Sequence, residues 1–380
     1  MRIALLASAY HPAVGGVEEF TAKLAAHLAA RGHAIEVWTG RAGDHYGPST
    51  DVVDGVAVRR LDFPLPRASI KPALRWPGRA AGALRELQMA AKAFSPDLVN
   101  VHCFSGNGVY GAALSRLTGV PLVVSLHGER VMDDQDIYEH STTLRTGLRL
   151  GLKQASSVTA CSQFVLDDAV KRFGCALGKS QVVFNAVDVH ELVTRRPFDV
   201  PFDSFVLGLG RLVPKKGFDL LLRAFAGVTT DAGLVIAGRG PEQQPLQELA
   251  VKLGIGDRVC FPGVLDRAQV TWAMSNARVF VMPSRVEPFG IVALEAWQAG
   301  VPLLATSHGG PAEFVRNGID GMLVATQDTL AFSAALHGLL ANPQAAADLA
   351  LRGAERTQEF AWADVTDRFL QIYVGLVNAH

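Results

Sequence analysis

Glu287 and Glu295 stand on either side of a Pro288-Phe289-Gly290 turn, with the apolar run ending at Met282 before them and Ile291-Val292-Ala293-Leu294 between. The pattern reads as a strand, a tight loop and the start of a helix. One carboxylate then lies in the loop and the other about a turn inside the helix, where the two can bind different hydroxyls of one elongated ligand. The first N–H groups of a helix lack intrahelical acceptors and carry the positive end of the dipole, which makes a ready phosphate site. Gly290 lets backbone approach the ligand closely. A pair of glutamates without that turn would read as a cap and a solvated helix residue.

Upstream, Gly208-Leu209-Gly210 follows another apolar run but lacks the third glycine of a dinucleotide fingerprint. Arg211 and Lys216 instead place two cations in a strand-to-helix loop, where they can neutralise a diphosphate. Lys215 beside them reads as surface. Nearer the N-terminus, Gly15 and Gly16 form a glycine pair in the loop His11 to Glu19, either to shape a turn or to let a sugar or phosphate reach the backbone. His127 follows the run Leu122 to Ser125, at the carboxyl end of a strand, where open α/β sheets bind ligands. A lone histidine is otherwise more often structural.

These loops need a scaffold that ends strands beside helix starts. Short apolar runs at Ile3–Ala7, Ile35–Trp38, Leu98–Val101, Leu122–Ser125, Ser157–Ala160 and Gln181–Phe184 alternate with helix-length amphipathic segments. After a break at Arg195-Arg196-Pro197-Phe198-Asp199-Val200-Pro201, the alternation restarts at Ser204–Leu209, Gly233–Ala237, Arg258–Phe261, Ala277–Met282 and Pro302–Ala305. Two such series imply two doubly wound domains with a cleft between them. The expected boundaries are 1–196, 197–362 and a C-terminal helix over 363–380.

Composition removes other classes. In 380 residues there are 36 basic and 36 acidic side chains, against a nucleic-acid-coating protein. With 49% hydrophobic and 19% charged residues the chain can bury sizeable cores. Cys103, Cys161, Cys175 and Cys260 form no C-x-x-C pair, which fits a reducing cytoplasm and no structural metal. Asp134-Gln135-Asp136 is a D-x-D element, but it lies in a polar acidic run and reads as a solvated loop, so no metal is expected. No stretch has the sustained apolarity of a membrane span. Arg67, Lys71, Arg75, Arg79 and Arg85, and the four-residue ladder Arg145, Arg149 and Lys153, make cationic faces. Such faces can touch anionic lipid peripherally or be solvated surface.

Taken together these residues resemble the family-four retaining glycosyltransferases of the GT-B fold. The resemblance runs through Gly15-Gly16, His127, Asn185-Ala186-Val187-Asp188, Gly210-Arg211 with Lys216-Gly217, Gly238-Arg239-Gly240-Pro241-Glu242 and Phe261-Pro262-Gly263. It ends in the Glu287 to Glu295 motif and Gly309-Gly310-Pro311-Ala312-Glu313. Ala186 stands where the family often has Gly. The resemblance implies two Rossmann-like domains, acceptor-binding then donor-binding, with a C-terminal helix returning to the first. It implies a nucleotide-sugar donor with a UDP or GDP head. Arg211 and Lys216 would hold its diphosphate with the Gly290 and Ile291 amides, in the loop that Phe289 shares. Glu287 would bind the sugar and Glu295 the ribose. Val264 would meet the base through its backbone, Gly15 and Gly16 would approach the donor, and His127 would contact the sugar near the reacting carbon. Retaining, metal-independent transfer to a lipid-linked or cell-envelope glycan, or to a soluble small molecule, is the expected activity. A nucleotide-sugar epimerase or hydrolase and a non-catalytic sugar-nucleotide-binding module are the alternatives.

Overall fold

The computed structural model describes residues 1–13, 15–41, 49–66, 70–133, 136–188 and 199–379, the side chains of 70–75 excepted. Arg67, Asp134-Gln135 and linker positions 195–198 lie outside the described residues, as do the side chains of Lys71 and Arg75.

The chain divides into two compact units, Met1–Asn185 with Trp362–His380, and Ala186–Ala361. The first is built on strands β1 (Arg2–Ala7), β2 (Ala34–Gly40), β3 (Ser49–Val53), β4 (Val56–Leu61), β5 (Leu98–His102), β6 (Leu122–Leu126), β7 (Ser157–Ala160) and β8 (Ser180–Val182). Their order across the sheet is β3-β4-β2-β1-β5-β6-β7-β8. Every neighbouring pair is parallel except the β3·β4 hairpin. β1, β5, β6 and β7 are almost wholly buried, as continuous apolar runs must be when helices cover both faces of a sheet. Chain direction across the sheet reverses between β1 and β5, because β1 leads outward to β2 and β5 leads outward to β6. The loops after these strands therefore splay apart and leave a crevice.

The hairpin β3·β4 was not among the expected strands. It turns at Asp54-Gly55, both with left-handed backbone, which is what a two-residue hairpin of this type requires. The helix Ile70–Phe94 contains two prolines, Pro72 and Pro77. Pro72 falls in the first turn, where a missing N–H costs nothing, and Pro77 gives up one interior hydrogen bond. Among the described residues no helix is long and apolar enough to cross a membrane.

The helix Trp362–Asn378 belongs to the first unit and packs on the helix Gly16–Ala30. Phe20 meets Trp362 and Phe369, and Trp362 stacks on His27 at 5.3 Å. Arg31 pairs with Asp367 and donates to the Ala363 carbonyl at 3.0 Å. Deeper in, the Tyr373 hydroxyl donates to Asn100 Oδ1 at 2.5 Å. Asn100 in turn donates to Ser125 Oγ, and Thr159 donates to the same oxygen. This polar ladder satisfies side chains that apolar strands would otherwise leave unpaired.

The second unit carries β9 (Phe205–Leu209), β10 (Gly233–Ala237), β11 (Val259–Gly263), β12 (Val279–Met282), β13 (Leu303–Thr306) and β14 (Met322–Val324). They form an all-parallel sheet in the order β11-β10-β9-β12-β13-β14. The outer core is filled by Phe218, Leu221, Leu222 and Phe225 of one helix against Phe332, Leu336 and Leu340 of another. Here the reversal falls between β9 and β12, so the loops after those two strands flank the crevice. At the edge of this unit the incoming chain at Val187 pairs with the outgoing chain at Ala361. The protein therefore consists of two α/β Rossmann-like domains with mainly parallel sheets.

Candidate active site

In the second unit, β9 and β12 lie side by side, with Val206 opposite Val279 and Leu207 opposite Phe280. The loops they release are Gly210–Gly217 and Pro283–Gly290. The first ends in a short 3₁₀ turn, Pro214–Lys216, closed by Gly217. Gly217 has φ +67°, and a Cβ there would come 2.2 Å from the Pro283 carbonyl oxygen, so the close approach of the two loops requires glycine.

Hydrogen bonds and ion pairs lock the loops together. Arg285 donates to both carboxylate oxygens of Asp219 at 2.7 Å each and to the Pro214 carbonyl at 2.7 Å. The Arg285 N–H donates to the Lys215 carbonyl at 2.9 Å. Lys216 Nζ donates to Glu287 Oε2 at 2.7 Å, and Ser284 Oγ donates to the same oxygen at 2.7 Å. Glu287 is 5% exposed, and its backbone bridges to Gly309, with the Gly310 N–H donating to the Glu287 carbonyl at 2.8 Å. The two expected site residues Lys216 and Glu287, 71 positions apart, are therefore in direct contact. A buried carboxylate with one lysine and one hydroxyl as partners keeps its other oxygen for a ligand hydroxyl.

Gly290 caps the helix Ile291–Gln298 with φ +89°, a left-handed geometry that favours glycine, at the helix start where backbone N–H groups lack intrahelical acceptors. The Phe289 ring is 2% exposed and packs on Phe314 at 4.8 Å, so it anchors the loop and only its backbone faces the turn. Ile291 and Glu295 are half-buried on the helix. Arg211 is exposed at the root of the first loop, and Val264 is 62% exposed just after β11.

In the first unit, Gly15 is the extended N-cap of the helix that begins at Gly16. His127, just past β6, is half-buried, and its Nε2 lies 3.1 Å from Nδ1 of His102, the last residue of β5. Phe20 meets both rings. Burial pushes His127 down to about 4 and His102 well below its usual value, so both rings are neutral at physiological pH. Glu129 completes the cluster. Its Oε1 accepts from the Phe104 N–H at 2.9 Å and its Oε2 from the His127 N–H at 3.1 Å, while burial raises it to about 7.

His102, Glu129, Ser284, Asp219 and Arg285 were not singled out from the sequence. The first two had a signal: a histidine closing a buried strand, and a carboxylate two residues after the expected His127. The other three act through register and loop contact, which a linear reading does not display.

The family model described as Glycosyltransferase Family 4 matches residues 14–191, and that described as Glycosyl transferases group 1 matches residues 200–356. The chain is 30% identical to the D-inositol 3-phosphate glycosyltransferase of Saccharomonospora viridis, over 94% of this chain and 89% of the relative. Among solved structures, sucrose-phosphate synthase from Thermosynechococcus elongatus superposes with a TM-score of 0.84 at 22% identity, covering all of both chains. Anabaena HepE in complex with UDP gives 0.77 at 22% identity, over 99% of this chain and 100% of the other. With its two matched halves, its lysine–glutamate contact at the β9/β12 switch point and its GT-B architecture, the chain belongs to the family-4, group 1 glycosyltransferases.

Proposed function

We propose that the chain transfers a hexosyl group from a nucleoside diphosphate sugar to a hydroxyl acceptor with retention of anomeric configuration. The observation that carries this reading is the Lys216–Glu287–Ser284 contact beside the helix start at Gly290. It sets a cation for a diphosphate next to an anion for a sugar hydroxyl. As the bond from the anomeric carbon to the diphosphate breaks, the leaving group gains negative charge. Lys216, Arg211 and the N–H groups of Gly290 and Ile291 act where that charge develops. The carbohydrate acquires oxocarbenium character, and Glu287 and His127 are the groups we assign to its hydroxyls. Glu295 is assigned to the ribose, the backbone at Val264 to the base, and Gly15 and Gly16 to the approach on the donor. Both motif glutamates thereby have binding roles. The acceptor hydroxyl attacks on the face the diphosphate leaves, and its proton passes to the departing phosphate oxygen.

A complex of HepE with UDP supports a nucleoside diphosphate head. For the acceptor, the name of the Saccharomonospora relative favours a soluble phosphorylated polyol as the first compound to screen. The cationic faces that favoured an envelope glycan at a membrane surface are partly engaged within the fold. Arg79 pairs with Asp62, Arg145 donates to the Tyr138 carbonyl at 3.0 Å, and Arg149 donates to the Arg172 carbonyl.

A thermal-shift screen of UDP, GDP and ADP with their hexoses, followed by NMR of the product anomer, tests the reading. One nucleotide series should raise the Tm of the wild type and not of Lys216→Ala. Conversion of donor without acceptor, to free sugar or another sugar nucleotide, would favour a hydrolase or epimerase. A shift unchanged by Lys216→Ala would end the assignment.

A further inference from the structure

We propose that Glu129 is a positioning residue for His127, and that it works best as the anion. Its two carboxylate oxygens gather the backbone N–H groups of Phe104 and His127, at 2.9 and 3.1 Å. The first belongs to the loop after β5 and the second to the loop after β6, so one side chain fixes the spacing of two strand-end loops. The same spacing sets the 3.1 Å contact between His102 and His127. This inference rests on reading His127 as the group that contacts the transferred sugar.

Two N–H donors converging on two oxygens favour a carboxylate. Protonation makes one oxygen a donor and a poorer acceptor, which weakens that side of the clamp. Among the described residues Glu129 makes no ion pair. Burial raises it to about 7, while backbone N–H groups, those of Gly128 and Glu129 among them, favour its anion in part. Among the described residues, the other titratable groups that shift this cluster's members carry no positive charge. From the loop after β5 comes the Cys103 thiol, pushed up by burial. Tyr138, on the helix Ile137–His140, has its hydroxyl donating to the Phe104 carbonyl and is also pushed up. Asp133 and Glu18 face Tyr138 and Cys103 as further acids. His102 and His127 are both held neutral by burial.

A division of labour follows. Neither histidine titrates near neutral pH, whereas Glu129 does, at about 7. Acid loss of activity with a midpoint near neutrality therefore reports release of the loop clamp, not protonation of the ring that touches sugar. Misplacement of a substrate-positioning group by about an ångström reduces turnover by roughly a hundredfold.

The test is the pH profile of kcat for wild type, Glu129→Gln and Glu129→Asp, with a substrate-free readout beside it. Wild type should lose kcat on acidification with a midpoint near 7. Glu129→Gln, whose amide sets a donor against one N–H, should be about tenfold or more slower with no such limb, and the donor KM should move much less. Glu129→Asp should keep a limb. Without substrate, ¹⁵N resonances of His127 and His102 in the wild type should inflect near pH 7 without the displacement that marks an imidazolium. The same resonances in Glu129→Gln should stay flat. If Glu129→Gln fails to fold, or no sugar nucleotide is turned over, the wild-type resonances decide. A flat His127 signal, or one that moves as an imidazolium, overturns the proposal, as does a limb that survives in Glu129→Gln. Failure of turnover in the wild type alone would count against the transferase reading instead.

Discussion

Replacing Glu287 with glutamine separates its two proposed jobs, because the carboxamide keeps the shape and removes the charge. Glu287 is 5% exposed and its Oε2 has two partners, Lys216 at 2.7 Å and Ser284 at 2.7 Å. Breaking a fully buried pair costs about 3–5 kcal/mol. The Lys216 side chain is 18% exposed and can be hydrated in part, so a loss of roughly 1–3 kcal/mol in stability is expected. A diphosphate supplies negative charge to that freed lysine and recovers part of the loss on binding. A recovery of about 1–2 kcal/mol corresponds to roughly five- to thirtyfold tighter binding of the nucleoside diphosphate alone. The sugar nucleotide gains the same term but loses a charge-assisted hydrogen bond to its hydroxyl, worth about 1.5–3 kcal/mol. Its affinity relative to the bare nucleotide should therefore fall by roughly ten- to a hundredfold. Isothermal titration of wild type and Glu287→Gln with both ligands measures each term. Equal changes for the two ligands would mean that Glu287 never meets the sugar. A weaker nucleotide would mean that Lys216 depends on Glu287 to stand in place. Either result refutes the separation of roles.

The buried histidines make folding acid-sensitive. His127 is held at about 4 against an ordinary 6.5, so as pH falls through that window the unfolded chain takes a proton that the native chain refuses. Stability then falls by up to about 1.4 kcal/mol per pH unit, and on the order of 2 kcal/mol in all for this half-buried ring. Glu129 acts in the opposite sense between 7 and 4.5, since the native state there holds the extra proton. Denaturant midpoints across this range should fall less steeply for His127→Asn than for wild type, and coincident slopes would remove His127 from the account. Gly290→Ala places a Cβ 2.8 Å from Met282 at φ +89°, at an expected cost of about 1–3 kcal/mol and with loss of the nucleotide-induced thermal shift; an unchanged shift would take the helix start out of the phosphate site. EDTA should leave transfer intact if Lys216, Arg211 and the Gly290 turn do the electrostatic work, and a loss restored by magnesium would overturn that expectation.

What the sequence displayed depended on distance along the chain and on which rule was applied. The strands flanking both crevices read directly as apolar runs, because parallel strands covered on both faces need no alternation. The hairpin β3·β4 was missed although Asp54-Gly55 is a strong turn signal, since its strands are short and one is mostly exposed. Pro72 and Pro77 do not prevent the helix Ile70–Phe94, because one falls where its N–H is not needed and the helix is long enough to lose one further bond. The boundary between the units, at Asn185–Ala186, carries no compositional break of the kind that marked Arg195 to Pro201.

The sites differ in a more instructive way. The Glu287 to Glu295 motif compresses a strand end, a turn and a helix start into contiguous residues, so its chemistry was visible before any contact was known. Its partner Lys216 was visible only as a cation after a strand, and the contact depends on β9 lying beside β12 in the sheet. His102 and His127 illustrate the harder case. Register sets His102 opposite Ser125, so the chain must run two residues past β5's end on the neighbouring strand to bring His127 into contact. Glu129 then reaches back across the same gap to the Phe104 amide. No short-range pattern encodes that closure. It follows from strand order and register together: where parallel strands such as β5 and β6 lie side by side, the polar residue ending one and the residues just past the end of the other belong to one cluster. By that rule a histidine closing a buried strand, such as His102 in Leu98–His102, is read with the loop of the next strand and not as a lone core residue.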